Sequence, residues 1–338
     1  MRRRALVGLA AMALVALLIP IATSIGSTSL SASRVVSILL GLGDAAPWER
    51  AVVLDLRLPR VVVALIGGAG LGVSGAAMQG LFRNVLAEPG VLGVSSGATL
   101  GAVLALYTGA ALPVLIVPLA AFAGALACAI LVYRLASAGG RARTASLLLS
   151  GVAVSGVAGA IGSMVLSIAV ADWELGRQML SWMMGGLEGR TWTHAAIAAP
   201  PVLIGSAALL LRARELDALA LGEESAASLG VDVPALRRAV LVLVALATGA
   251  TVAVMGSIAF LGLMAPHAVR LLIGPAHRGV LLGSAAAGGI GLVLADALCR
   301  AVASSMDLRP GVVTAMLGGP FFLWLLVRDR CAIWSDAK

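Results

Sequence analysis

Gly93-Val-Ser95-Ser-Gly97 has the G-x-S-x-G spacing with which a strained strand-to-helix turn presents a nucleophilic serine. Such a serine needs a histidine held by an acid, and none of His194, His267 and His277 has an acid that the sequence matches to it. The stretch reads better as the start of a helix rich in small residues. Gly70-Leu-Gly72-Val-Ser-Gly75 has the dinucleotide-binding spacing G-x-G-x-x-G, but its glycines lie inside an apolar run and no acid follows about 20 residues on. No two histidines stand at i, i+4 for zinc, and Cys128, Cys299 and Cys331 make neither an even disulfide framework nor a metal-ligand spacing. Lys338, the last residue, is the only lysine, so no phosphate-binding G-x-x-x-x-G-K-[ST] loop exists in the chain. If its work is driven by ATP, the ATPase is another subunit.

The elements that would position any such residue are apolar. Of 338 residues, 60% are hydrophobic and 12% charged, against about 25% charged in an ordinary soluble domain. Disorder and a disulfide scaffold are excluded, and an all-α, polytopic membrane protein with no β domain is implied. Charge is costly at the bilayer centre, so charge-free runs mark spans. They are 5–33, 61–82, 89–133, 144–171, 191–211, 239–269, 279–295 and 310–327. Run 89–133 would be about 67 Å long as one helix, against a hydrocarbon core of about 30 Å, and must fold back, most naturally at Gly109–Pro113. Run 239–269 is also too long; Gly256 and Pro266 suggest a full helix followed by a short one. The expectation is ten transmembrane helices in a single domain, 1–338. The first run is taken as a span, because it is long for a cleaved signal.

Ten spans put both termini on one side. That side collects fifteen of the 23 arginines and, with Lys338, all of the net charge of +8; the other side sums to zero. The positive-inside bias then places the termini in the cytoplasm. No Asp, Glu, Lys or Arg falls in the middle of an expected span, which counts against a proton-coupled carrier and less against a sodium-coupled one. In run 144–171 Gly151, Ser155, Gly159, Ser163 and Ser167 recur every four residues, a ladder for close helix approach or for lining a path; Gly68 and Gly72 are a shorter case. The longest polar stretch on the terminal side, about 212–238, reads as two short helices around a glycine turn, with Glu223 and Glu224 in the first turn of the second. Leu219, Leu221 and Leu229 in so polar a loop favour a docking surface over a plain linker.

Several ordered motifs then resemble a known family. They are Arg57-Leu-Pro-Arg60, Gly75-Ala-Ala-Met-Gln79, Asn84-Val-Leu-Ala-Glu-Pro-Gly-Val-Leu-Gly-Val-Ser95, Trp182-Met-Met-Gly-Gly186, Leu221-Gly-Glu-Glu-Ser-Ala-Ala-Ser-Leu-Gly230, Gly262-Leu-Met-Ala-Pro-His-Ala-Val-Arg270 and Pro310-Gly-Val-Val-Thr-Ala with Gly319-Pro-Phe-Phe-Leu-Trp324. Together they cover nearly the whole chain and are similar to the iron-siderophore, haem and vitamin B12 permeases, the membrane subunits of type II ABC importers.

The resemblance implies a homodimer, two ATPase subunits that hold ATP and Mg, a periplasmic binding protein, no cofactor on this chain and no nucleic acid. It implies a multi-pass location in the bacterial inner membrane. Arg57, Arg60 and Arg300 match positions that pair with acids of the binding protein, although exposed arginines there could equally hold lipid headgroups. Leu219, Leu221, Glu223, Glu224, Ser225, Ala226, Leu229 and Gly230 match the loop that sits in a cleft of the ATPase. The ladder of run 144–171 matches the helix lining the central path, and Thr144, Ala145 and Ser146 the loop that narrows its cytoplasmic exit. The cargo expected is a large metal chelate, haem first because Gly318-Gly-Pro-Phe-Phe-Leu-Trp-Leu-Leu looks most like haem permeases, then vitamin B12 or a ferric siderophore. A sodium-coupled secondary carrier working alone is the rival from another class; an intramembrane enzyme would need a catalytic constellation that the sequence does not display.

Overall fold

The computed structural model describes residues 2–26, 28–109, 115–138, 144–302 and 308–335, and these are helical with connecting turns. Helix α1 (Arg2–Ser24) is followed by the short α2 (Ala32–Leu39). Helix α3 (Pro47–Arg50) runs through a π-helical stretch, Ala51–Arg57, straight into α4 (Leu58–Phe82). After a 3₁₀ turn at Pro89–Leu92 come α5 (Val94–Thr108), α6 (Ile116–Ser137), α7 (Thr144–Ala169) and the short α8 (Trp173–Met183). Helix α9 (Trp192–Leu211) leads to two small helices, α10 (Ala213–Ala220) and α11 (Glu223–Ser228). The chain ends with α12 (Val233–Met255), α13 (Leu261–Ile273), α14 (His277–Val302) and α15 (Pro310–Ser335).

Seven of these helices are long and apolar enough to cross a membrane. Three shorter apolar helices, Val94–Thr108, Leu261–Ile273 and Pro310–Leu325, stand where the remaining spans were expected, a set consistent with ten. Run 89–133 is divided between α5, ending at Thr108 with Gly109 as its C-cap, and α6, starting at Ile116, while 110–113 of the expected turn lie outside the described residues; run 239–269 breaks at Gly256, which ends α12 with φ +73°.

Helix α4 is the centre, buried along most of its length and packed against α14, α12, α13 and α9. It can be central because its glycines let neighbouring backbones in. Gly68 faces Gly288 and Gly72 faces Ser284 on the antiparallel α14, while Gly75 faces Gly262 on α13; a Cβ at any of the three would collide with a backbone carbonyl. Gly97 and Gly124 do the same between α5 and α6. This is the small-residue packing that membrane helices rely on when no hydrophobic drive distinguishes protein from lipid. The G-x-G-x-x-G match at residues 70–75 therefore lies in a buried helix interior, and Gly93, with φ +74°, is the N-cap of α5 and not a nucleophile elbow.

Candidate functional site

Two ends of the bundle and one open helix face carry the residues of interest. We call the end where α1 begins the near end and the end where it stops the far end.

At the far end the structure brings together Arg57, Arg60 and Arg300, which the resemblance had assigned to binding-protein docking, but turns them inward. The π-helical stretch delivers Arg57 against the last turn of α1, where Nη1 donates to the carbonyls of Thr23 (3.2 Å) and Ser24 (3.0 Å) and Nη2 to that of Thr28 (2.7 Å). Arg60 donates through Nε to both oxygens of Asp296 (2.9 and 3.1 Å), and Arg300 through Nε to the same carboxylate (3.0 Å). Arg300 also reaches the carbonyls of Ala22 (2.6 Å) and Ile25 (2.5 Å). The expectation of exposed forks is corrected: Arg57 is 8% exposed, and all three guanidiniums satisfy orphan carbonyls of α1 or a fully buried acid. Asp296 escaped notice because it stands one residue past the charge-free run 279–295, yet well inside α14.

Beside this cluster, the turn between α8 and α9 adds Glu188 and Arg190, and the start of α15 adds Arg309, which pairs with Glu188 at 2.7 Å. Gln178, Trp182, Glu188, Arg190, His194 and Arg309 border a cavity of about 450 Å³. Burial, with Arg309 and Arg60 close by, pushes the Arg190 guanidinium down to about 10. Neither Arg190 nor Arg309 was singled out by the sequence, since an arginine in a loop gives no local sign of burial.

At the near end, α10 and α11 form the expected pair around Gly222, whose φ of +118° suits glycine alone. Helix α10 is bolted down: Leu216 and Leu219 are buried, and Asp217 accepts from both the backbone N–H and Nδ1 of His277 at the start of α14, each at 2.8 Å. Leu219 and Ala226, expected as contact residues, are therefore buried anchors within this chain. Glu223 pairs with Arg237 of α12 at 2.7 Å. Outward face Leu221 and Leu229, 69% and 65% exposed, together with Glu224, Ser225 and the turn at Gly230. An acid-tipped helix start flanked by two exposed leucines on a rigid base suits docking, because nothing must be ordered on association.

The ladder on α7 divides. Leu147, Val154, Ala158, Val165 and Ala169 bury one face against α5, α6 and α8. Gly151 is buried with them and Ser155 half-buried, whereas Gly159, Ser163 and Ser167 are exposed. A Cβ at Gly159 would meet nothing within 4 Å. From Gly159 onward the ladder is thus not a packing seam within this chain, unlike Gly68 and Gly72. Thr144 opens α7, its side chain outside the described residues; Ala145 is exposed and Ser146 half-buried beside it.

A third feature went unread in the sequence although it lies in a quoted motif. Glu88, half-buried, accepts at 2.7 Å from the backbone N–H of Phe260, which holds a left-handed conformation (φ +63°) at the start of α13. Between α4 and α13, Arg270 donates to Gln79, and Gln79 to the carbonyl of Leu263 at 3.3 Å, so these two polar side chains complete each other's hydrogen bonding.

Residues 14–328 match the model of the FecCD transport family. The chain is 45% identical over 298 residues to the cobalamin import system permease protein BtuC of Halobacterium salinarum, covering 86% of this chain and 79% of that protein. It is 42% identical over 289 residues to the hemin transport system permease protein HmuU of Yersinia pestis, covering 84% and 85%. Among solved structures it resembles a metal-chelate type ABC transporter in an inward-facing conformation, with TM-score 0.84 and 29% identity over 95% of this chain and 98% of that one. The chain belongs to the FecCD transport family of ABC-importer membrane permeases.

Proposed function

We propose that this chain, as a homodimer bound to two ATPase subunits, takes a large metal chelate from an external binding protein and passes it into the cytoplasm of a bacterium. The near end is then cytoplasmic, in keeping with the arginine excess on that side. The observation that carries the reading is the near-end pair α10 and α11: a rigidly mounted, outward-facing surface of Leu221, Glu224 and Leu229 with no use inside the chain. The open small-residue face of α7 supplies a second surface, for the other copy or for the path between them.

Haem is the first cargo to test, on the likeness of residues 318–326 to haem permeases, and cobalamin is the direct competitor, since the two relatives named above carry one each at nearly equal identity. The permease is co-reconstituted in proteoliposomes with its ATPase and binding protein, and ATP-dependent uptake of haem and of cyanocobalamin is measured side by side. Haem uptake that requires ATP supports the reading. Uptake of cyanocobalamin alone reassigns the cargo, and chelate uptake driven by a sodium gradient without ATP overturns the proposal.

A further inference from the structure

Among the described residues, the far end holds more guanidiniums than carboxylates. Five guanidiniums, those of Arg57, Arg60, Arg190, Arg300 and Arg309, gather at this end around two carboxylates, Asp296 and Glu188. Four of the five have identified partners: Arg57 the carbonyls of α1, Arg60 and Arg300 the shared Asp296, and Arg309 Glu188. Arg190 is different. No carboxylate among the described residues stands within ion-pairing distance of it, and its buried Nε has no hydrogen-bond partner. Its neighbours Arg309 and Arg60 repel it, and Glu188, the acid that favours its charge, is already engaged.

Arg190 is half-buried with its Nε withdrawn from water; a guanidinium so placed without a carboxylate partner is unfavourable, and its planar fork is shaped for one. Arg190 borders the cavity of about 450 Å³, whose wall also offers the donors of Gln178 and Ser181 and the apolar faces of Trp182 and Leu106. That volume suits a small organic anion. It is at the small end of ligand pockets.

We propose that this cavity is a binding site for a small carboxylate anion, with Arg190 as its principal ligand and Arg309, held by Glu188, as the second positive wall. Bound there, the anion would sit against Gln178, Ser181 and Trp182 and so join α8 to the α8–α9 turn and the start of α15. The proposal goes beyond the transport reading and does not depend on which chelate is carried.

The test titrates the purified full-length permease with sodium citrate in a buffer free of other carboxylates, at constant ionic strength, and follows tryptophan emission. Trp182→Phe identifies the part of the signal that comes from the cavity. Wild type should show a saturable change that the neutral trimethyl ester of citrate and sodium chloride do not reproduce. Arg190→Gln should weaken it by about tenfold or more, and Arg190→Lys, which keeps the charge but not the fork, by less. Should Arg190→Gln fail to elute as a folded species, Arg190→Lys decides alone, by its weakened but saturable response. No saturable change in wild type, an equal response to chloride, or undiminished citrate binding in both variants would overturn the site. So would an Arg190→Gln variant that loses binding-protein docking while keeping its citrate response.

Discussion

Gly68 of α4 and Gly288 of α14 face each other so closely that a Cβ on either would strike the backbone carbonyl of the other. They set the distance between the two helices that run through the middle of the molecule. The same pairing carries on in both directions, with Gly72 opposite Ser284 and Arg60 opposite Asp296. Close backbone approach thus aligns the ion pair at the far end: a wider separation along α4 and α14 would pull Arg60 away from its acid. On α7 the same spacing of small residues meets open space at Gly159.

These two outcomes separate by mutation. Gly68→Leu or Gly288→Leu should lower the thermal midpoint of the purified permease, since overpacking a well-filled contact costs about 1–3 kcal/mol. Gly159→Leu should leave the midpoint of the single chain nearly unchanged and act on dimer formation or uptake instead. Thermal denaturation read by size-exclusion chromatography measures the first, and crosslinking with uptake assays the second. A Gly159→Leu chain that melts as early as Gly288→Leu would mean that the Gly159 face of α7, too, packs inside its own subunit.

Where sequence reasoning succeeded, the signal was local. Chain length against bilayer thickness called for two helices in run 89–133, which are α5 and α6, and for the break at Gly256, and the Leu-Gly-Glu-Glu pattern at 221–224 announced a helix restarting after a turn. It fell short where the partner is distant in sequence. Arg60 and Asp296 are 236 residues apart, and counting only charge-free runs ended one span before Asp296 and began another after Arg60. The one local hint was Asp296 four residues before Arg300, the spacing of a helical ion pair. Leu219 was read as a contact residue because apolar residues in a polar loop are ambiguous: the same pattern describes a docking face and the underside of a small helix.

Asp296 should matter more than either arginine it serves. It is fully buried, and Asp296→Ala leaves Arg60 and Arg300 facing each other without an anion. Breaking a buried pair from one side costs about 3–5 kcal/mol. Arg60→Ala should cost less, because Arg300 still neutralises the acid. The comparison is made by thermal unfolding in one detergent; equal losses in the two variants would show that Asp296 draws its stability from elsewhere.

The purified chain on its own should hydrolyse no ATP, since its only lysine is its last residue and no phosphate-cradling loop is present. A phosphate-release assay on a preparation free of any ATPase subunit checks this. Turnover that survives removal of trace ATPases would contradict it.

The near-end surface gives the sharpest contrast between docking and folding, because its residues divide by exposure. Glu224 and Leu229 face outward, whereas Leu219 is buried and Glu223 is tied to Arg237. Glu224→Arg with Leu229→Asp should therefore leave the permease monodisperse and its stability within about 0.5 kcal/mol of wild type, as surface changes usually do. The same pair should weaken co-purification with the ATPase and reduce ATP-driven uptake, because it reverses a charge and places another where apolar contact is expected. Leu219→Asp should do the reverse in order of cause: an unpaired charge under α10 unfolds the base first, and assembly fails as a consequence. Glu223→Arg would mix the two effects by opposing Arg237 within the chain, which makes it the less informative variant. Pull-down with the ATPase subunit and chain stability are read on the same samples. If Glu224→Arg with Leu229→Asp binds the ATPase as tightly as wild type, the surface around α11 is a solvated connection and the partner docks elsewhere on the near end.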